Sequence, residues 1–95
     1  MILAVIPARW GSTRFPGKAL ALIGEQPMVW HVYQRCVEAA CLDRIVVATE
    51  DERIRQACER LTLDVVMTRT SHPTGTDRVA EVATQIRATL YVNVQ

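Results

Sequence analysis

Arg9, Ser12, Thr13, Arg14 and Lys18 fall within one short run, Pro7-Ala8-Arg9-Trp10-Gly11-Ser12-Thr13-Arg14-Phe15-Pro16-Gly17-Lys18. No acidic residue occurs before Glu25, so the three cations have no counter-charge near them in sequence. Arginine can hold two phosphate oxygens at once, while lysine acts as a point charge. Gly11 and Gly17 let the backbone pass close to a ligand, and turned backbone amides add further donors. The run reads as a cradle for a polyphosphate, against the alternative of an exposed Gly/Pro turn with solvated cations. It is not a Walker A loop: five residues separate Gly11 from Gly17, and Ala19 stands where the magnesium-binding hydroxyl belongs. The G-x-G-x-x-G dinucleotide fingerprint is also missing. Nothing in the run is a nucleophile held by a base, so its chemistry is binding and charge neutralisation.

A second cluster is Thr68-Arg69-x-x-His72-x-Thr74-Gly75-Thr76-Asp77-Arg78. Gly75 permits close approach, and Thr74 or Thr76 can cap a following helix, whose first N–H groups would face an anion or a base edge. The plainer reading makes both threonines caps only. Asp77 and Arg78 read as a first-turn charge pair rather than as ligands. Histidine is the side chain suited to acid–base work near neutral pH, but with no carboxylate beside His72 we expect a hydrogen-bonding loop histidine rather than an acid–base catalyst. Trp10 could line the mouth of a pocket or simply pack, Thr13 reads as a turn residue, and His31 as a surface residue on the polar side of a helix.

Alternating strand and helix patterns must position these clusters. Ile2 to Ile6 is an apolar strand that empties directly into the cationic loop. Leu20 to Ile23 is a short extended piece or turn ended by Gly24, and Pro27 suits a first helical position. A helix follows from about Met28 to Ala40, with Val29, Tyr33, Cys36 and Ala40 on one face. Arg44 to Ala48 is the second strand. Thr49 and Glu52 form a possible capping box for a helix from about Asp51 to Leu61. Asp64 to Met67 is the third strand. A helix from Thr76 to about Ala88 carries Val79, Val82, Ala83 and Ile86 on its core face, and Leu90 to Val94 is the fourth strand. The alternation predicts a Rossmann-like α/β fold, a parallel sheet with helices on both faces. Residues 1–95 make a single nucleotide-binding domain, without repeats or linkers.

Composition narrows the class. The chain is 49% hydrophobic and 22% charged, which suits a globular domain and not a disordered one. Its longest apolar runs are strand-sized, so no membrane span or membrane partner is expected. Met1 leads straight into a strand with no basic segment before it, so we expect no signal peptide and a cytoplasmic location. A net charge of +1 argues against a general polyanion binder, nucleic acid included; the positive charge is local. Cys36, Cys41 and Cys58 are odd in number and lack C-x-x-C spacing, so they read as plain thiols and not as a metal site.

The two clusters, in order, resemble the 3-deoxy-manno-octulosonate (Kdo) cytidylyltransferases, or CMP-Kdo synthetases. The matching segments are Pro7-Ala8-Arg9-x-x-Ser12-Thr13-Arg14-Phe15-Pro16-Gly17-Lys18-x-Leu20, the Thr68–Arg78 block, and Val92-Asn93-Val94-Gln95, similar to the strand that runs into Gly-Asp-Glu-Pro in that family. Acylneuraminate cytidylyltransferases share the Pro-Ala-Arg opening but carry Gly-Ser-Lys where this chain has Gly-Ser-Thr-Arg. The resemblance implies strand order 3-2-1-4, with a reversal between strands one and four where ligands bind. It implies attack of the Kdo anomeric hydroxyl on the α-phosphorus of CTP, giving CMP-Kdo and pyrophosphate for lipopolysaccharide biosynthesis. Arg9, Ser12, Arg14 and Lys18 would contact the triphosphate, with Arg9 and Lys18 as the catalytic cations. Arg69, Thr74, Gly75 and Thr76 would recognise cytosine and ribose, and Gln95 would reach the sugar. It further implies magnesium, with ligands beyond Gln95, and a homodimeric full-length enzyme.

The chain is therefore expected to be the amino-terminal fragment of a longer enzyme and inactive alone. An enzyme for another acidic sugar, acylneuraminate-like, and a nucleotide-binding module without chemistry remain the alternatives. Gly-Asp-Glu-Pro encoded next in the source DNA would decide for the enzyme.

Overall fold

The computed structural model describes residues 1–11, 16–69 and 75–94. Four strands form a parallel sheet: β1 (Ile2–Pro7), β4 (Arg44–Thr49), β5 (Val65–Met67) and β6 (Leu90–Asn93). Between β1 and β4 lie a two-stranded hairpin of β2 (Leu22–Ile23) and β3 (Gln26–Pro27), then helix α1 (Met28–Val37). Helix α2 (Glu52–Arg60) joins β4 to β5, and α3 (Gly75–Gln85) joins β5 to β6. The sheet order is β5-β4-β1-β6. This is the expected 3-2-1-4 order, with β1 in the middle. Its register pairs Val5 with Val46 on one side and with Asn93 on the other.

Period-two alternation along the central strands builds two cores. Ile6 and Val47 face one side, where they meet Val29 and Cys36 of α1 and Ile54 and Cys58 of α2. Leu3, Val5, Val46 and Ala48 face the other side and pack on Val82 of α3. The β1 and β4 runs are apolar throughout because both faces are covered, as a parallel sheet requires.

Local chemistry sets the element ends. Gly24 sits at φ +68 in the two-residue turn joining β2 to β3, a conformation that costs glycine nothing. Pro27 ends β3 and caps α1 from outside the helix rather than occupying its first turn. The expected Thr49–Glu52 capping box does not form. Thr49 is fully buried and its Oγ1 accepts the Asp51 N–H at 3.2 Å, so Asp51 becomes the cap and accepts the Arg53 N–H at 2.8 Å. Helix α2 ends in a Schellman pattern: Leu63 N–H donates to the Cys58 carbonyl (2.8 Å) and Thr62 N–H to the Glu59 carbonyl (3.1 Å), with Thr62 at φ 60.

Two helices stop earlier than periodicity predicts. In α1 the bonding shortens after Val37, where Ala39 N–H donates to the Cys36 carbonyl at 3.0 Å, so Ala40 lies exposed beyond the helix. In α3 the Tyr91 hydroxyl donates to the Ile86 carbonyl (2.7 Å) and accepts the Ala88 N–H (2.9 Å), taking up groups that further helix would need. Ala83 is exposed, so the buried stripe of α3 runs through Arg78, Val79, Val82 and Ile86 instead. His31 is half-buried, and its Nε2 lies 2.8 Å from the Ile23 carbonyl, tying α1 to the hairpin.

Candidate functional site

All four parallel strands deliver their following residues to one edge of the sheet. At that edge β1 is followed by Arg9 and Trp10, β4 by Glu50 and Asp51, and β5 by Thr68 and Arg69. Ligand sites of open α/β sheets lie outside these carboxyl ends, where the strand order reverses. Here the reversal falls between β1 and β6.

The loop after β1 is closed on itself. Gly17 N–H donates to the Trp10 carbonyl at 2.9 Å. Gly17 sits at φ +72, buried beneath the Trp10 indole, and a side-chain carbon there would lie 2.8 Å from Trp10 Cη2. Trp10 is held from two further directions: its backbone N–H donates to Glu50 Oε1 at 3.0 Å, and the Arg53 guanidinium lies 3.4 Å from the ring centroid. Arg53 in turn is forked onto the Asp51 carboxylate (3.0 and 2.7 Å). Arg53 thereby holds the Asp51 carboxyl below its ordinary range, chiefly through these side-chain bonds. Of the two readings for Trp10, packing is the one observed: the ring pins the loop's base. Arg9 and Lys18, on either side of that base, are exposed, and Lys18 opens a 3-10 turn of residues Lys18–Leu20.

The segment after β5 is organised by Arg78. Instead of pairing with Asp77 at the surface, Arg78 is buried, its side chain only 4% exposed. Its Nη1 donates to Thr68 Oγ1 and to the Arg69 carbonyl (3.3 Å), and lies 3.2 Å from Glu50 Oε2. Glu81, one turn further along α3, accepts the Arg69 N–H at 3.0 Å. The first turn of α3 is thus drawn to the carboxyl end of β5. Gly75 is its first residue and Thr76 its second; Thr76 is exposed inside the first turn, so it is not the cap. Arg69 is exposed beside it.

Arg9, Lys18, Arg69, Gly75 and Thr76 therefore flank one edge on two sides. Ser12, Arg14, Thr74 and Gln95, together with Thr13 and His72, lie outside the described residues. Sequence reasoning missed Glu50 and Arg53 and misjudged Arg78. A signal for Arg78 was present: it stands four residues before Val82, on the same stripe as the core positions. A guanidinium there must be buried and therefore partnered. A groove lined by Ile23, Met28, Trp30, His31, Arg35 and Glu38 runs between α1 and the hairpin, and it contains none of the predicted site residues.

Known proteins share this sequence and this fold. A family model described as cytidylyltransferase matches residues 3–95. The 3-deoxy-manno-octulosonate cytidylyltransferase of Geobacter sulfurreducens is 56% identical over 94 residues, covering 99% of this chain and 38% of the relative. That of Trichlorobacter lovleyi is 51% identical over 94 residues, again with 99% of this chain and 37% of the relative. The chain thus spans well under half the length of these curated relatives. Among solved structures, a CMP:2-keto-3-deoxy-manno-octonic acid synthetase complexed with CTP superposes with a TM-score of 0.97 at 44% identity, covering 99% of this chain and 39% of that one. A cytidylyltransferase from Leptospira borgpetersenii, 21% identical with a TM-score of 0.70, shares the fold. With its parallel sheet, its basic loop after the first strand and a family model matched along almost its whole length, the chain belongs to the cytidylyltransferase family.

Proposed function

We propose that residues 1–95 are the nucleotide-binding part of a longer enzyme that transfers CMP from CTP to Kdo, releasing pyrophosphate. The observation that carries this reading is that Arg9, after β1, and Arg69, after β5, both follow strands at the carboxyl edge of one parallel sheet. A nucleoside triphosphate has the matching polarity, a polyanion at one end and a hydrogen-bonding base at the other. Arg9, Ser12, Arg14 and Lys18 take the triphosphate, with Arg9 and Lys18 neutralising charge as it develops on the departing pyrophosphate. Arg69, Thr74, Gly75 and Thr76 take cytosine and ribose, and Gln95 reaches the sugar. Such a transfer depends on alignment and charge neutralisation rather than on covalent help, which suits a site built of cations and hydroxyls.

Magnesium enters this reading from the resemblance alone. Among the described residues, no group of three or more His, Cys, Asp or Glu stands close enough to hold an ion. The described residues do not fit a metal cage. We infer a cytoplasmic enzyme acting as a homodimer in its full length. No described helix is long and apolar enough to cross a membrane, and the three cysteines are free thiols.

Pyrophosphate release in the full-length enzyme, measured with each of CTP, ATP, GTP and UTP and with Kdo or an acylneuraminate as acceptor, tests the assignment. CTP with Kdo is expected to dominate, and preference for ATP or for the acylneuraminate refutes it. Arg9→Ala and Lys18→Ala are each expected to lower turnover by about 2–4 kcal/mol of transition-state stabilisation, judged from the removal of single electrostatic contacts. Thr13→Ala is expected to matter much less.

A further inference from the structure

Glu50 and Arg78 form a charge pair that none of the proposed roles uses. Arg78 is 4% exposed and Glu50 14%, with Nη1 and Oε2 3.2 Å apart. The approach is a charge contact rather than an aligned hydrogen bond, so buried Oε2 has no hydrogen-bond donor. A pair this dry is weak evidence for stability, because desolvation offsets most of the Coulomb attraction. What it joins is more telling. Through Oε1, Glu50 accepts the N–H of Trp10, the base of the loop after β1. Through Nη1, Arg78 holds Thr68 and the Arg69 carbonyl, the start of the segment after β5. Between these loops in the sheet stands β4, and Glu50 is the residue that follows its last position.

We propose that Glu50 and Arg78 are positioning residues that set the separation of the two loops, so that one CTP molecule meets both at once. The proposal rests on the nucleotide assignment given above. Neither side chain is asked to touch the ligand. A tie of this kind acts only on a ligand that spans both loops, since each loop keeps its own local bonds: Gly17 to Trp10 on one side, Arg69 to Glu81 on the other. Misplacement by about 1 Å between reacting groups can cost 10²-fold, so a modest change of separation has a large effect on the bridging ligand.

The test compares three ligands in the full-length protein by calorimetry: CTP, which bridges; inorganic tripolyphosphate, which needs only the loop after β1; and cytidine, which needs only the segment after β5. The variant is the charge-neutral double substitution E50Q/R78M, chosen so that no lone charge is left buried. Affinity for CTP is expected to fall at least about tenfold, while tripolyphosphate and cytidine change less than about twofold and the unfolding midpoint holds. R78K, which keeps the charge and one donor, is expected to recover part of the lost CTP affinity. If the double variant does not fold, Glu50→Gln is read by the same three ligands; its amide oxygen can still accept from Trp10, and its NH₂ opposes the guanidinium. Unchanged CTP affinity in a folded variant overturns the proposal. So does an equal loss for all three ligands, which marks general loosening. If the wild-type protein prefers another nucleotide to CTP, the functional assignment itself fails, and the proposal with it.

Discussion

Replacing Gly17 by alanine puts a methyl group where the structure has an indole ring. Two separate costs follow. The first is conformational. At φ +72 and ψ 20 a residue with a Cβ is strained by roughly 1–2 kcal/mol, of which the stiffer unfolded alanine chain returns about 0.4–1. The second is steric, because the new carbon would stand 2.8, 3.0 and 3.1 Å from Cη2, Cζ2 and Cζ3 of Trp10. The ring cannot retreat freely, lying as it does under the Arg53 guanidinium on a backbone whose Trp10 amide is bonded to Glu50. Forcing a methyl into packed space typically costs about 1–3 kcal/mol. Gly17→Ala is therefore expected to destabilise by about 2–4 kcal/mol in total. In a Trp10→Ala background the steric part vanishes, and only about 1 kcal/mol of backbone strain is left. Urea denaturation followed by far-UV circular dichroism, on wild type, the two single variants and the double variant, gives this cycle directly. Equal costs of Gly17→Ala in both backgrounds would refute the clash, and a cost near zero in either would refute the left-handed backbone.

Three further outcomes are expected. Thr62→Gly should stabilise by about 0.5–1 kcal/mol in thermal unfolding. It relieves a β-branched residue held at φ 60 in the Schellman turn, less the extra freedom glycine gains when unfolded. Asp51→Ala should cost about 1 kcal/mol by removing the α2 cap. Asp51→Asn keeps the cap but cannot ionise, so its stability gap to wild type has a defined pH window. Because the folded carboxyl titrates below its unfolded value near 3.9, that stabilisation is full above about pH 4 and disappears as pH falls through the folded value. A thiol reagent at mildly alkaline pH should label exposed Cys41 quickly, and Cys36 and Cys58 only on unfolding. Burial pushes the Cys58 thiol up to about 11, so its contribution to stability is full below about pH 9 and lost as pH rises towards that value.

Most of the scaffold was readable from periodicity alone. The expected strands differ from the observed ones by a residue at an end, because apolar runs buried on both faces leave little choice of location. Helix ends were harder, since their limits are decided by groups elsewhere in the chain. The Tyr91 hydroxyl stops α3, and the burial of Thr49 passes the α2 cap to Asp51. The basic loop was legible as a candidate site because its charges lack partners nearby in sequence. The Glu50–Arg78 tie was not, because it forms only when the end of β4 meets the first turn of α3. A local reading gives Arg78 its neighbour Asp77, whereas three-dimensional packing gives it Glu50, Thr68 and Arg69.

The central place of β1 in the sheet has a consequence for the order in which the protein is assembled. This strand is made before either of its partners, which come from two distant parts of the chain. Leu3 pairs with Arg44, and Ile2 with Leu90, about 88 residues later. At a synthesis rate of roughly 5–20 residues per second, the second partner arrives roughly 4–18 s after the first strand is made. During that interval β1 can dock on β4 and bury Ile6 and Val47 beneath α1 and α2, while the edge destined for β6 stays open. Leu3 and Val5, which α3 will cover, stay exposed for much of the same time. A nascent chain of this design is most vulnerable to wrong pairing late in the synthesis of this segment, when most of it already exists.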